Sequence, residues 1–155
     1  MEALITDDIK EFVNRVQLGF IATVCPDSTP NLSPKGTTIV WDNDHLAFAD
    51  IHSPGTIDNL KSNPAIEINI VDVFTRKGFR FKGIGQILSE GDTFEQILSY
   101  YRDNGTKHPI NHIVLVNVDR ILPLLSPAYF SSFSEDEVKD YWIHYWNEKN
   151  LQVKK

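Results

Sequence analysis

The stretch Ser53-Pro54-Gly55-Thr56 joins a run of alternating apolar residues, LAFAD, to a segment with helical spacing. Proline suits the first turn of a helix, where its missing N–H is not needed, and a serine before it can cap. The N–H groups of Gly55, Thr56 and Ile57 then lack partners within the helix. Gly55 lets a ligand come close to the backbone. Free N–H groups, two hydroxyls and the positive end of the helix dipole together make a receptor for phosphate. The plainer reading is a common helix opening with no ligand. A helix terminus gives an anion roughly 0.3–1 kcal/mol, up to about 2 in partly buried geometry. Micromolar retention needs about 8 kcal/mol, so cations and stacking area must supply the rest. Two stretches offer cations. NLSPKGTT carries Lys35 and Gly36 ahead of a strand pattern, and RKGFRFKG carries Arg76, Lys77, Arg80 and Lys82. Strand alternation puts Phe79 and Phe81 on one face and Arg80 and Lys82 on the other. A solvated outer face explains such a pair by itself; one shared anionic partner is the sharper explanation.

The remaining chemistry-bearing residues are less specific. His108 and His112 are four apart, but Pro109 between them breaks a shared helical face, so no zinc site is expected. Cys25, at a strand end beside Pro26, reads as a small core residue rather than a nucleophile. As the single cysteine it makes no internal disulfide, which suits a reducing cytoplasm. YWIHYW places Trp142, Tyr145 and Trp146 on one helical face. Core or dimer packing is the plain reading; a wall over a bound ligand, with Tyr129, Phe130 and Phe133 in the same lid, is the other. No side chain stands out as a general acid or base. A net charge of -6 over 155 residues argues against a general nucleic-acid binder. No run of about 18 apolar residues exists, so no membrane span is expected. The opening MEALITDDIKEF has no basic segment followed by an apolar run, so no signal peptide is expected.

The elements that must position these residues follow from periodicity. Ile9, Phe12, Val13 and Val16 predict a helix over 6–16, with Thr6 or Asp7 capping it. Strands are expected over 19–25, 36–42 and 46–50, the first two joined by a hairpin connection over 26–30. A short helix after Ser53 ends at Asn63-Pro64. Strict alternation predicts strands over 65–74 and 78–88. A helix over 93–102, a strand over 112–121 and a closing helix from Ser134 to Asn150 complete the order. The last begins with a capping box, Ser134 and Glu137. Short, closely spaced strands joined mostly by turns point to an antiparallel barrel or sandwich in one domain, not to a parallel sheet.

The ordered set is a strand, a Pro-Asp-Ser turn, Ser-Pro-Lys-Gly, a strand, Ser-Pro-Gly-Thr, a helix ending in Asn-Pro, and the basic strand RKGFRFKG. Over 20–88, with 114–121 as a later strand, it resembles the FMN-binding split barrel of the pyridoxamine 5'-phosphate oxidase-like superfamily. The resemblance implies a mainly β chain with flanking helices: a six-stranded antiparallel Greek-key split β-barrel over 1–155, with an N-terminal helix and a C-terminal helical extension. It implies a homodimer with FMN in a cleft between subunits. Lys35 resembles a phosphate-binding cation of that family, and Ser53 and Thr56 resemble phosphate-contacting residues. The segment from Asp50 to Asn59, Gly55 included, matches the one that holds ribityl and phosphate. The backbone of Gly36, Thr37 and Thr38 is expected along the isoalloxazine edge. Arg76, Lys77, Arg80 or Lys82 could come from the neighbouring strand or the other subunit, alternation favouring Arg80 and Lys82. Two departures matter. The oxidase carries an Arg-Lys pair where this chain has Gly55-Thr56, and the C-terminal VKDYWIHYWNEKNLQVKK lacks the oxidase's basic segment for pyridoxamine phosphate. The implied function is an FMN-dependent oxidoreductase acting on a small substrate, with the two departures weakening the case for vitamin B6 oxidation. The alternatives are a non-enzymatic flavin store or electron carrier, or the same fold holding deazaflavin or haem.

Overall fold

A computed structural model describes residues 4–149. Seven strands form one antiparallel sheet: β1 (Gly19–Val24), β2 (Pro30–Lys35), β3 (Ile39–Val40), β4 (His45–Asp50), β5 (Ala65–Val71), β6 (Lys77–Leu88) and β7 (His112–Leu125). Their order across the sheet is β2-β1-β5-β6-β7-β4-β3. The two edge strands, β2 and β3, are therefore farthest apart in the sheet but are separated in the chain only by Gly36, Thr37 and Thr38. Four Cα–Cα steps span at most roughly 14 Å, so the sheet must curl until its edges nearly meet. No ladder joins them, which leaves the barrel split along one seam.

Four helices flank the sheet: α1 (Asp7–Val16), α2 (Pro54–Ser62), α3 (Asp92–Asp103) and α4 (Glu135–Glu148). The barrel interior holds Ile21, Leu46, Phe48, Ile68, Ile70, Phe81, Val114 and Val116, closed by Val13 of α1 and by Ile57 and Leu60 of α2. A second cluster lies outside the barrel, where Phe94, Ile97 and Tyr101 of α3 cover Ile39, Ala47, Ala49 and Ile113. β4 is thus buried on both faces, and its outward positions are alanines that let α3 approach.

The sequence reading needs four amendments. The expected six-stranded barrel has seven strands, because β2 runs through Pro30 and Pro34, residues that read as turn chemistry. Proline is tolerated there because β2 is an edge strand whose outer side needs no N–H donors. The strand expected over 36–42 shrinks to Ile39–Val40, since Gly36 to Thr38 carry the chain across the seam. β7 continues past the expected 121 to Leu125; beyond Val118 it pairs only with β6, so Pro123 interrupts no second ladder. The strand expected to reach 74 stops at Val71, where Asp72 Oδ1 accepts the N–H groups of Phe74 and Thr75 in a side-chain-closed turn. The capping box forms in both directions: Ser134 Oγ accepts Glu137 N–H at 3.2 Å, and Glu137 Oε2 accepts Ser134 N–H at 2.8 Å. Asn150, the expected last residue of that helix, lies outside the described residues. No helix among the described residues is long and apolar enough to cross a membrane.

Candidate functional site

The β2–β3 crossover and the β4–α2 turn meet at one end of the seam. Thr38 is fully buried, and its Oγ1 donates to Lys35 O at 3.0 Å. It lies against Gly19, where an added Cβ would come within 2.5 Å of the hydroxyl, so β1 needs glycine there. Thr37 Oγ1 accepts Ala49 N–H at 3.0 Å, and Tyr101 Oη donates to Thr37 O at 2.7 Å. Burial pushes the Tyr101 phenol far above its ordinary range, so it stays a neutral donor. Both threonine hydroxyls are spent on holding the crossover; what faces outward is backbone and Gly36, around which a Cβ would meet open space.

Lys35 ends β2. Directly opposed residues of an antiparallel pair share a face. Lys35 and Ser33 therefore lie with Gly19 and Ile21 on the inner face, and Ile21 opposes Ile68, which opposes Phe81. Lys35 Nζ donates to Ser33 Oγ at 2.6 Å. Among the described residues no carboxylate lies within ion-pair distance of it. Burial pulls its ammonium below the ordinary lysine range, partly opposed by the charge of Asp50. This is a half-buried cation with one neutral partner.

At the mouth of α2, Ser53 N–H donates to Asp50 Oδ1 at 2.8 Å, while the Ser53 hydroxyl caps nothing. Ile57 N–H, expected to be free, donates to Ser53 O at 3.2 Å as the first helical bond. The N–H groups of Gly55 and Thr56 have no partner among the described residues, and a Cβ on Gly55 would meet open space. Thr56 and Asn59 are buried on the barrel side. Asn59 Nδ2 donates to Thr23 Oγ1 at 3.0 Å, and Asn31 Nδ2 reaches the same oxygen at 3.3 Å, so Asn59 ties α2 to β1.

Arg80 and Lys82 do share a face, as alternation requires. It is the outer face, with Phe20, Ala22, Leu32 and Pro34, opposite to Lys35. Glu67 stands between them, 2.9 Å from Arg80 Nε and 3.0 Å from Lys82 Nζ, and Arg80 also reaches Asn69 Oδ1 at 3.3 Å. Asp50 links Lys35, on which its charge acts, to Ser53 at the α2 mouth, whereas Arg80 and Lys82 lie on the opposite face of the sheet. Arg76 stacks on Trp142, 3.5 Å from the ring centroid, and Lys77 pairs with Glu135. Both anchor α4, whose buried anchor is Val138.

Sequence reasoning did not pair two residues of this region. Asp50 is 4% exposed, and its Oδ2 meets His112 Nδ1 at 2.8 Å. The two are register partners on β4 and β7. In the sequence Asp50 reads only as the start of the segment expected to hold ribityl and phosphate, and His112 only as a histidine unsuited to zinc; nothing local marks their pairing.

A curled antiparallel sheet with one open seam, and a helix mouth facing it, defines the split-barrel class. The family model described as pyridoxamine 5'-phosphate oxidase matches residues 5–123, and the chain belongs to that family. Among solved structures, HupZ of Group A Streptococcus is 30% identical, covers 79% of this chain and 95% of its own, and superposes with a TM-score of 0.71. An FMN-binding protein from Syntrophomonas wolfei is 17% identical over 77% of this chain and 85% of its own, with a TM-score of 0.66. An F420 reductase is 23% identical over 76% of this chain and 98% of its own, with a TM-score of 0.60. The last two share the fold. No curated protein matches the chain.

Proposed function

We propose that this protein binds FMN and passes hydride or electrons between it and a small substrate or redox partner in the cytoplasm. The observation that carries the reading is the half-buried Lys35 ammonium without a carboxylate partner, at the seam beside the α2 mouth with its two open amides. These residues fit the phosphorylated end of a flavin. Lys35 Nζ, the N–H groups of Gly55 and Thr56 and the free Ser53 hydroxyl would hold it, and the missing Gly55 side chain leaves room. A bound flavin supplies the redox chemistry; the chain binds it, orients it and presents the main chain of Gly36 to Thr38 along it. Family membership and the FMN-binding neighbour support the choice of ligand.

The working unit in this reading is a homodimer with the cofactor at the subunit interface. Arg80 and Lys82 face away from Lys35, so they join the site from a second copy. Exposed Phe20, Leu32 and Ile84 on the same outer face provide the apolar contact. A deazaflavin is the second reading, favoured by the F420 reductase among the neighbours. Titration of purified protein with FMN and with riboflavin, followed by flavin fluorescence and the visible spectrum, tests the proposal. Tight FMN binding with much weaker riboflavin binding is expected. A colourless protein that takes up no FMN sinks it. Turnover of the reduced complex with a small acceptor, above free-flavin rates, separates an oxidoreductase from a carrier.

A further inference from the structure

The aromatic residues around α4 have no part in the flavin reading. Only Val138 of the described helix is fully buried, and Tyr141 is 63% exposed. Tyr141 follows Glu137 and Asp140 at helical spacing, so the three share one flank of α4. Phe133, just before the helix, is 53% exposed. Together with Trp142 and Ala128 these residues line a cleft of about 580 Å³ between α4 and a short 3-10 turn, Pro127–Ser131. Both walls are pinned to the turn between β5 and β6. The 3-10 turn is held by Ser126 N–H on Arg76 O at 3.0 Å and by the Tyr129 hydroxyl, which donates to Thr75 O. The helix is held by Arg76 stacked on Trp142 and by the Lys77–Glu135 ion pair. The cleft is therefore built into the fold before any ligand arrives.

Its lining carries two carboxylates and no cation. Glu137 accepts Ser134 N–H, and the bonds with Ser134 hold its carboxyl below the ordinary glutamate range. Asp140 forms no ion pair among the described residues. Arg76 and Lys77, the cations that anchor the walls, are committed to Trp142 and Glu135. We propose that this cleft binds a small organic cation, an ammonium head on an apolar body, with the rings of Phe133 and Tyr141 against it and Asp140 as its counter-charge. Aromatic faces attract a cation placed within about 6 Å of the ring centre. An anion is repelled by both carboxylates, and a neutral apolar molecule gains the walls but not the charge. Among the described residues no three His, Cys, Asp or Glu side chains stand together as metal ligands, so a bare metal ion has no cage there. The cleft is open to solvent, which keeps the attraction modest and the dissociation constant on the order of millimolar. It shares no residue with the candidate flavin site, so binding there neither needs nor excludes FMN.

The experiment is an amide NMR titration of the purified protein with choline and with 3,3-dimethylbutan-1-ol, a neutral molecule of the same shape. Wild type, Asp140→Asn and Tyr141→Leu are compared. In wild type choline shifts the amides of residues 126–142 and binds about tenfold or more tighter than the alcohol. Each variant weakens choline by about two- to fivefold and leaves the alcohol and the melting temperature unchanged, since both side chains are exposed. No shift with choline well above millimolar concentration, shifts confined to other parts of the chain, or equal affinity for choline and the alcohol overturns the proposal. Shifts over 126–142 that follow protein concentration without ligand identify a second copy of the chain as the occupant and overturn it too. All these results leave the flavin reading where it stands, because that reading is tested by FMN and Lys35.

Discussion

Replacing Lys35 with methionine separates binding from folding. Methionine keeps the length and apolar stem of the side chain and removes its charge. In the folded chain that charge is a cost: burial lowers the Lys35 ammonium below its ordinary range, and only the field of Asp50 opposes this. A lysine with a lowered folded value binds its proton less well in the native state than in the unfolded chain. The penalty is therefore present in full below the lowered value and fades as pH rises from there towards the ordinary lysine value. At neutral pH the ligand-free Lys35→Met protein is expected to melt at the wild-type temperature or slightly above it. With FMN the sign reverses. A charge-assisted hydrogen bond to phosphate is worth roughly 1.5–3 kcal/mol, so the dissociation constant for FMN should rise about 10- to 150-fold. Riboflavin affinity should change little, and the salt dependence of FMN binding should flatten. Thermal melts with and without ligand, together with fluorescence titration at two ionic strengths, read all of this. A variant that loses stability while keeping its FMN affinity would refute the reasoning, because Lys35 would then be a structural ammonium held by Ser33 alone.

Three further outcomes are expected. Gly55→Ala meets no protein atom within 4 Å. It should stabilise the ligand-free chain by up to about 1 kcal/mol through helix propensity while weakening FMN binding, checked by melts and titration. Tyr101→Phe removes the donor to Thr37 O, should cost about 1 kcal/mol in denaturant unfolding, and should loosen the crossover enough to raise amide exchange at Gly36 to Thr38. Gly83→Ala would place a Cβ 2.0 Å from Asn117 O, a backbone atom at the β6–β7 bulge; it should destabilise by at least about 1–3 kcal/mol, with wild-type stability ruling out the register described.

Much of the architecture was legible because it rests on local periodicity. Alternation in AIEINIV and GFRFKGIGQIL fixes which side chains face inward, and the Ser134–Glu137 capping box is a signal within four residues. The edge strand β2 was not legible. Its prolines read as turn residues, and only pairing with β1 on one side makes them acceptable. The double burial of β4 was hidden for a similar reason, since α3, which covers its outer face, lies some forty residues further along the chain.

The candidate site divides along the same line. From sequence alone came the amide-rich mouth after Ser53, the open Gly55, the cation at Lys35 and the shared face of Arg80 and Lys82, all consequences of residue type and short-range spacing. Only the tertiary structure decided that Lys35 lies inside the sheet and Arg80 and Lys82 outside it, that Glu67 links those two, and that Asp50 binds His112 across sixty-two positions of chain. The physical reason is that charge acts through distance in space. A strand register of one residue moves a side chain to the other face, and nothing short of the folded pairing states which carboxylate stands beside which cation.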